Sequence, residues 1–209
     1  MSDSGSPGLK PVLEAEELLL RGVAACVGPP PVVLEIGFGR ADLILELARS
    51  QPERCFLGVE VSRKRVEKSA RRVIGAGLTN VKLVHAPAEY LLERVLPEAS
   101  IAECWINCPD PWPKKRHHRR RLVTPEFTLG MARVMVPDAV LHISTDHAGY
   151  SEWMHEVMAK APGFRNLHAP AAMSMCRPQR PETAYEAEWI AEGREIVYFD
   201  YLRERSTEP

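Results

Sequence analysis

Asp110 stands between prolines in "NCPDPWPKKRHHRRRL" (residues 107–122), and a dense cationic run follows it at once. Pro109, Pro111 and Pro113 limit φ and remove backbone donors, which predicts an extended loop that holds the carboxylate on a defined path. Lys114 to Arg121 contains six Lys or Arg and two His without one acid. Clustered guanidinium groups grip phosphates bidentately and position a nucleic-acid backbone, leaving base choice to a pocket. Lys115, Arg116, Arg119, Arg120 and Arg121 are therefore candidate backbone contacts. The competing readings are a rigid turn anchored by Trp112 and a solvated surface loop.

The chain's bulk charge does not account for this cluster, because 27 Lys and Arg are balanced by 28 Asp and Glu for a net charge of −1. The basic character is local, as in a protein that directs nucleic acid to one place rather than coating it.

A second constellation lies upstream. "VVLEIGFGRAD" is a β-branched run that ends in Glu35, Gly37 and Gly39, and Glu60 follows about 20 residues on, the spacing at which an acid meets ribose hydroxyls. The glycines reach backbone angles closed to other residues and let a ligand approach the main chain. A dinucleotide fold calls for a third glycine where Asp42 stands, and its charge repels a phosphate. S-adenosylmethionine, with an ammonium and no phosphate, suits an acid before the glycines better. An ordinary strand–helix turn remains the bland alternative.

The elements that must position these residues read as alternating strands and helices. The strands are "VVLEIGFG", "CFLGVEV", "VKLVHA", "IAECWIN" and "AVLHIST", with helices between them, including "SRKRVEKSARRVIGAG". Leucines at helical spacing predict a leading helix from Val12 to Val27. Thr124 and Pro125 predict the start of another, and a further helix is expected over Tyr150 to Ala161. "FRNLHA" and "EIVYFDYLRE" add two strands in an antiparallel return, separated by a Pro/Arg-rich loop without an obvious helix. The expected fold is α/β: a Rossmann-like, mostly parallel seven-stranded sheet with helices on both faces and an antiparallel C-terminal strand. It forms one domain over 12–205, with a flexible start at 1–11 and a tail at 206–209.

No apolar run reaches the ~18 residues of a membrane helix, and the start lacks the sections of a signal peptide. A cytoplasmic protein without membrane or DNA partners is expected. The five cysteines form no CxxC pair, so reduced thiols are the default. Cys104, Cys108, His117 and His118 do not match zinc spacing, and no metal is expected. His142, His147 and His168 have no partner spacing and read as structural.

"LEIGFGRAD", "FLGVEVSRKRV", "NCPDPWPKKRHHRRRL", "STDHAGY" and "RPETAYEAEWIAEG" together resemble the bacterial tRNA (guanine-N7)-methyltransferase family, from about Val32 onward. The resemblance implies a class I methyltransferase sheet, S-adenosylmethionine as cofactor, tRNA as substrate and methylation of a guanine in the variable loop, at position 46. It carries over Glu35, Glu60 and Asp110 as cofactor contacts beside Gly37 and Gly39, with Asp110 also catalytic. Lys114, Asp146 and Thr183, Ala184, Tyr185 and Glu186 fall on the substrate side, the last four in a loop closing over guanine with Glu186 as acceptor. The sequence departs from the family pattern at Ala41, where a glycine is usual, and at Ala86, where an acid meets the adenine. It departs also at Ala184 and Glu188, where basic residues are usual. A non-catalytic tRNA-binding relative and, on the glycine loop alone, a nicotinamide-dependent oxidoreductase are the alternatives.

Overall fold

Strands that alternate apolar side chains between two covered faces need helices on both sides, and the elements follow that demand. The computed structural model describes residues 10–205. In chain order they are β1 (Val12–Leu13), α1 (Ala15–Arg21), α2 (Val23–Cys26), β2 (Val32–Ile36), α3 (Asp42–Ser50) and β3 (Phe56–Glu60). Next come α4 (Arg63–Gly75), β4 (Val81–His85), α5 (Ala88–Tyr90, continued by a π-helical turn over Leu91–Val95), β5 (Ile101–Asn107) and a 3₁₀ turn over Lys115–Arg120. The remainder is α6 (Pro125–Val134), β6 (Met135–Thr145), α7 (Ala148–Met158), β7 (Phe164–Asn166), α8 (Ala184–Ala191) and β8 (Val197–Arg203).

The strands form one sheet in the order β1-β4-β3-β2-β5-β6-β8-β7, parallel except where β8 runs antiparallel to β6 and β7. Every residue of β2 and β3 is buried. Val33, Phe56 and Leu83 pack with Leu43, Ile44, Leu47 and Val73 on one face, while Leu34, Ile106, Ile143 and Phe199 pack with Met131 and Tyr150 on the other. Each such fully buried side chain contributes about 1.5–3 kcal/mol relative to exposure. From β2 the chain builds outward to β3 and β4, then crosses to β5 and β6 on the opposite side. The crevice between the carboxyl ends of β2 and β5 is therefore the topological switch point, where open α/β sheets bind ligands.

The sheet has eight strands rather than seven. The additional one is β1, cut from the expected leading helix: Pro11 O accepts from Leu83 N at 2.7 Å, and Val12 pairs with Leu83 along the sheet edge. The rest of that helix splits at Gly22, whose φ of 80° interrupts it. Lys10 and Pro11 are thus tied to the sheet, whereas the rest of the expected flexible start and the 206–209 tail lie outside the described residues. The Pro/Arg-rich loop also contains a helix, α8. The expected start of α6 is present, with Phe127 N donating to Thr124 Oγ1 at 3.2 Å and Pro125 in the first turn. No helix among the described residues is long and apolar enough to cross a membrane.

Candidate active site

Two adjoining cavities of about 290 Å3 each open at the switch point, and Gly37, Arg65, Asn107, Cys108 and Asp110 line both. The turn after β2 forms their floor. Gly37 has φ 73°, and a Cβ there would meet no heavy atom within 4 Å. Backbone conformation rather than crowding therefore calls for glycine, and open cavity lies before it. Glu60 lines the first cavity and is only 3% exposed. Its Oε2 accepts from Gly39 N at 3.1 Å, its Oε1 accepts from Ser62 N at 2.9 Å, and Arg65 stands 3.6 Å away.

Ala41 closes the turn in a left-handed conformation, φ 61°, fully buried. That conformation costs a non-glycine residue about 1–2 kcal/mol. Ala41→Gly removes the strain but gives up a buried methyl, about 0.8 kcal/mol, and adds roughly 0.4–1 kcal/mol of unfolded-chain entropy. The terms nearly cancel, so the variant should unfold within about 1 kcal/mol of the wild type in urea; a larger change in either direction would show that one term dominates.

Glu35, from β2, lines the second cavity, and its Oε2 accepts from Ile44 N at 3.1 Å in the first turn of α3. Burial pushes its pKa up to about 8, against the lowering effects of the Ile44 N–H, the Arg180 charge and the Asn107 side chain. The group is protonated in the folded protein over a range where the unfolded chain, at the ordinary 4.5, has already ionised. The folded state thus binds the extra proton, and stability falls as pH rises from about 4.5 to 8. Glu35→Gln, which never ionises, should melt near the wild type at pH 5 and several degrees above it at pH 9. Parallel melting curves across that range would contradict the buried carboxyl's cost.

The Asp110 loop differs from the uniformly extended path its prolines predict. Cys108 and Trp112 have φ of 45° and 43°, so the loop turns on either side of Asp110. Arg121 holds it from beneath: only 5% exposed, it donates from Nε to Pro111 O at 3.0 Å, with its guanidinium 5.0 Å from the Tyr150 ring centre and 5.2 Å from that of Trp153. Val123 N donates to Tyr150 Oη at 3.2 Å and Trp153 Nε1 to Val123 O at 2.7 Å, which fixes the chain behind it. Arg121 is therefore no phosphate contact but the anchor of the Asp110 loop. Lys115, Arg116, Arg119 and Arg120 are exposed on the 3₁₀ turn. Arg120 lies 4.8 Å over the Trp112 ring, and both line the first cavity. Lys114 is exposed and lines neither cavity.

The expected guanine-closing loop is corrected most. Thr183 caps α8 in a reciprocal capping box with Glu186, and Ala184 begins the helix. Glu186 is completely buried and accepts from Thr183 N at 2.9 Å, Arg180 Nη1 at 2.7 Å, Arg180 Nη2 at 2.5 Å and Tyr198 Oη at 3.2 Å. Its carboxylate is committed inward and is not an acceptor for a base. Tyr185 instead reaches the second cavity beside Thr183. The helix is fastened to the glycine turn through Arg40 and Glu188 at 2.8 Å and through Ala184 N donating to Asp42 Oδ2 at 3.4 Å. Glu188 is thus an intramolecular partner of Arg40. Asp146 pairs with Arg194 at 3.0 Å and does not cap α7; His147 does, its side chain accepting from Tyr150 N.

Ala86 forms part of the first cavity's wall, and Glu89, in α5, lines the same cavity. His142 and His168, like His147, have structural partners: they lie 2.5 and 2.8 Å from Asp200, and His142 stacks on Trp105. Among the described residues no three His, Cys, Asp or Glu side chains gather to hold a metal ion. Arg180, Arg65 and Glu89 escaped the sequence reading, and Arg121 stood in it only as a backbone contact. A T-x-x-E signal at Thr183–Glu186 was the one available sign of α8.

A family model described as "Putative methyltransferase" matches residues 29–199. A tRNA (guanine-N(7)-)-methyltransferase of Halorhodospira halophila is 39% identical over 166 residues, covering 79% of this chain and 72% of that protein. Its namesake in Chromohalobacter salexigens is 40% identical over 175 residues, covering 83% and 71%. Among solved structures, the 16S rRNA methyltransferase KamB aligns with a TM-score of 0.62 at 20% identity, over 83% of this chain and 88% of that one. A SAM-dependent methyltransferase from Aquifex aeolicus aligns at 0.57 and 14%, over 82% and 81%. These distant structures share the fold, and the oxidoreductase reading of the glycine turn gives way to the closer sequence matches. With its glycine turn, its Asp110 loop and these relatives, the chain belongs to the tRNA (guanine-N(7)-)-methyltransferase family.

Proposed function

We propose that this protein transfers the methyl group of S-adenosylmethionine to N7 of guanine in tRNA, at position 46 of the variable loop, acting in the cytoplasm through one catalytic domain over 12–205. The observation that carries the reading is Asp110: it lines both cavities at the switch point while a basic turn begins five residues on. When bound, the cofactor supplies an electrophilic methyl on a sulfonium. The residues present fit it. Glu60 offers a carboxylate to ribose hydroxyls, Gly37 and Gly39 leave the main chain open, and Ala86 gives the adenine an apolar wall. Glu35 faces the ammonium, whose positive charge favours the ionised carboxyl that burial disfavours.

Asp110, Tyr185 and Asp146 stand on the substrate side, with Lys114 on the outer rim. Lys115, Arg116, Arg119 and Arg120 hold the RNA backbone, a task that needs charge and reach rather than base recognition. The decisive experiment incubates the protein with methyl-labelled S-adenosylmethionine and a tRNA transcript lacking modification, then digests the product to nucleosides. Labelled 7-methylguanosine is expected, and its loss when guanine 46 is replaced by adenine. Label in another nucleoside, or none at all with cofactor binding intact, would overturn the reading in favour of a different target or a non-catalytic RNA-binding protein.

A further inference from the structure

We propose that the exposed face of α4 is a second docking track for the tRNA backbone, on the opposite side of the cleft from the Lys115–Arg120 turn. The inference rests on the tRNA reading above and extends it to a surface that reading does not use.

Between Arg63 and Arg72 the helix carries six cations and one acid, Glu67. Two of the cations are engaged, Arg65 at 3.6 Å from Glu60 and Arg72 at 2.7 Å from Asp42. Arg63, Lys64, Lys68 and Arg71 are exposed and make no ion pair among the described residues. Lys64, Lys68 and Arg71 follow one another at i, i+4 and i+7 and therefore share a helix face. Val66, Ala70 and Val73 occupy the buried side.

This arrangement works against the helix that bears it. Like charges at i, i+4 repel, and cations in the first turn oppose the macrodipole, which favours acids there. Arg63, Lys64 and Arg65 open α4 with no acid in that turn. The helices α1 and α3 obey the rules: α1 has Glu16 and Glu17 in its first turn and Arg21 in its last, with Arg21 paired to Glu17, and α3 begins with Asp42 and ends with Arg49. A helix needing only a soluble face gains nothing from breaking them. In a chain of net charge −1, the exposed cations are concentrated against local preference, as expected where phosphates must lie.

Placement identifies the partner. Arg65, on α4, and Arg120, on the basic turn, line the same cavity from opposite sides. Their parent strands, β3 and β5, flank β2, so the two basic elements stand roughly 10 Å apart at the sheet edge. From Arg63 to Arg71 the cations extend about 12 Å along the helix, too far for a single phosphate and suited to successive phosphates of a chain. A membrane surface fits less well, because the apolar face needed for insertion is already in the core.

The test uses the full chain with Lys64→Gln, Lys68→Gln and Arg71→Gln combined, which removes charge while keeping good helix formers. Each lost phosphate contact should lower the slope of log affinity against log salt by about 0.7–0.9, so the triple variant should lose roughly 2 or more and bind whole tRNA about tenfold more weakly at low salt. KM for tRNA should rise while kcat at saturating tRNA and cofactor affinity stay at wild-type values, and the melting temperature should hold or rise slightly, since the lost charges opposed the helix. The charge-preserving set Lys64→Arg, Lys68→Arg and Arg71→Lys should retain the slope. Wild-type affinity and slope in the glutamine variant, with wild-type methylation intact, would overturn this track and leave the tRNA reading standing. If the wild-type protein methylates no tRNA, the reading and the track fall together.

Discussion

Replacing Asp110 with Asn is expected to lower the single-turnover methylation rate about 10²- to 10³-fold, the usual loss when a preorganised group stabilising transition-state charge is removed. Guanine N7 presents a lone pair at neutral pH, so attack on the sulfonium methyl requires no prior deprotonation and positioning is the first demand. As the methyl transfers, positive charge spreads through the purine. A carboxylate at the guanine edge interacts with that cation more strongly than with neutral guanine, so its effect falls on the rate rather than on substrate binding. Asn keeps the shape and loses the charge. The left-handed turns at Cys108 and Trp112 and the Arg121 bond to Pro111 O hold the loop independently of the Asp110 side chain. The fold and tRNA affinity should therefore survive. Quench-flow with saturating cofactor and tRNA checks this, and a rate within about twofold of wild type sinks the assignment. A cofactor affinity weakened in proportion to the rate would instead make Asp110 a binding contact.

The parts of this site legible from sequence are those that local chemistry dictates. "VVLEIGFG" announces its strand and turn because β-branched residues followed by glycines have few other uses, and Glu60 follows from strand length alone. β1 was not legible, since two residues carry no period and the leucines after them have a helical one. α8 was hidden by Pro178 and Pro181 just ahead of it, although its capping box was written at Thr183 and Glu186. In a run such as Lys114–Arg121, every cation looks alike. Only the packing of Tyr150 and Trp153 on a distant helix decides that Arg121 turns inward while its neighbours face solvent. Glu186 poses the same difficulty: a carboxylate in a substrate motif reads as a ligand contact until Arg180 and Tyr198 are seen to consume it.

That buried pair should give the largest stability effect in the protein. The Arg180 and Glu186 side chains are 1% and 0% exposed, and Arg180 Nη2 also donates to Asn107 Oδ1 at 2.9 Å, joining the segment before α8 to the end of β5. Burial opposes the charge on Glu186, but hydrogen bonds and charge from Arg180, with support from Thr183, outweigh it and hold the pKa below the ordinary 4.5. The pair's stabilisation is thus present above that value and lost as pH falls through the folded pKa. Arg180→Met leaves a buried, uncompensated carboxylate and should cost about 3–5 kcal/mol at pH 7, or on the order of 10 °C in melting temperature. Because Glu186 then gains from protonation, the variant's deficit should shrink on acidification from pH 7 to 5, although the wild type barely changes over that range through this pair. Arg180→Met combined with Glu186→Gln should recover much of the loss, since no charge remains buried, and a double-mutant cycle would report strong coupling. A single-variant loss below about 1 kcal/mol, or a deficit independent of pH, would mean that water reaches Glu186 and that α8 is held by its Arg40 and Asp42 contacts instead.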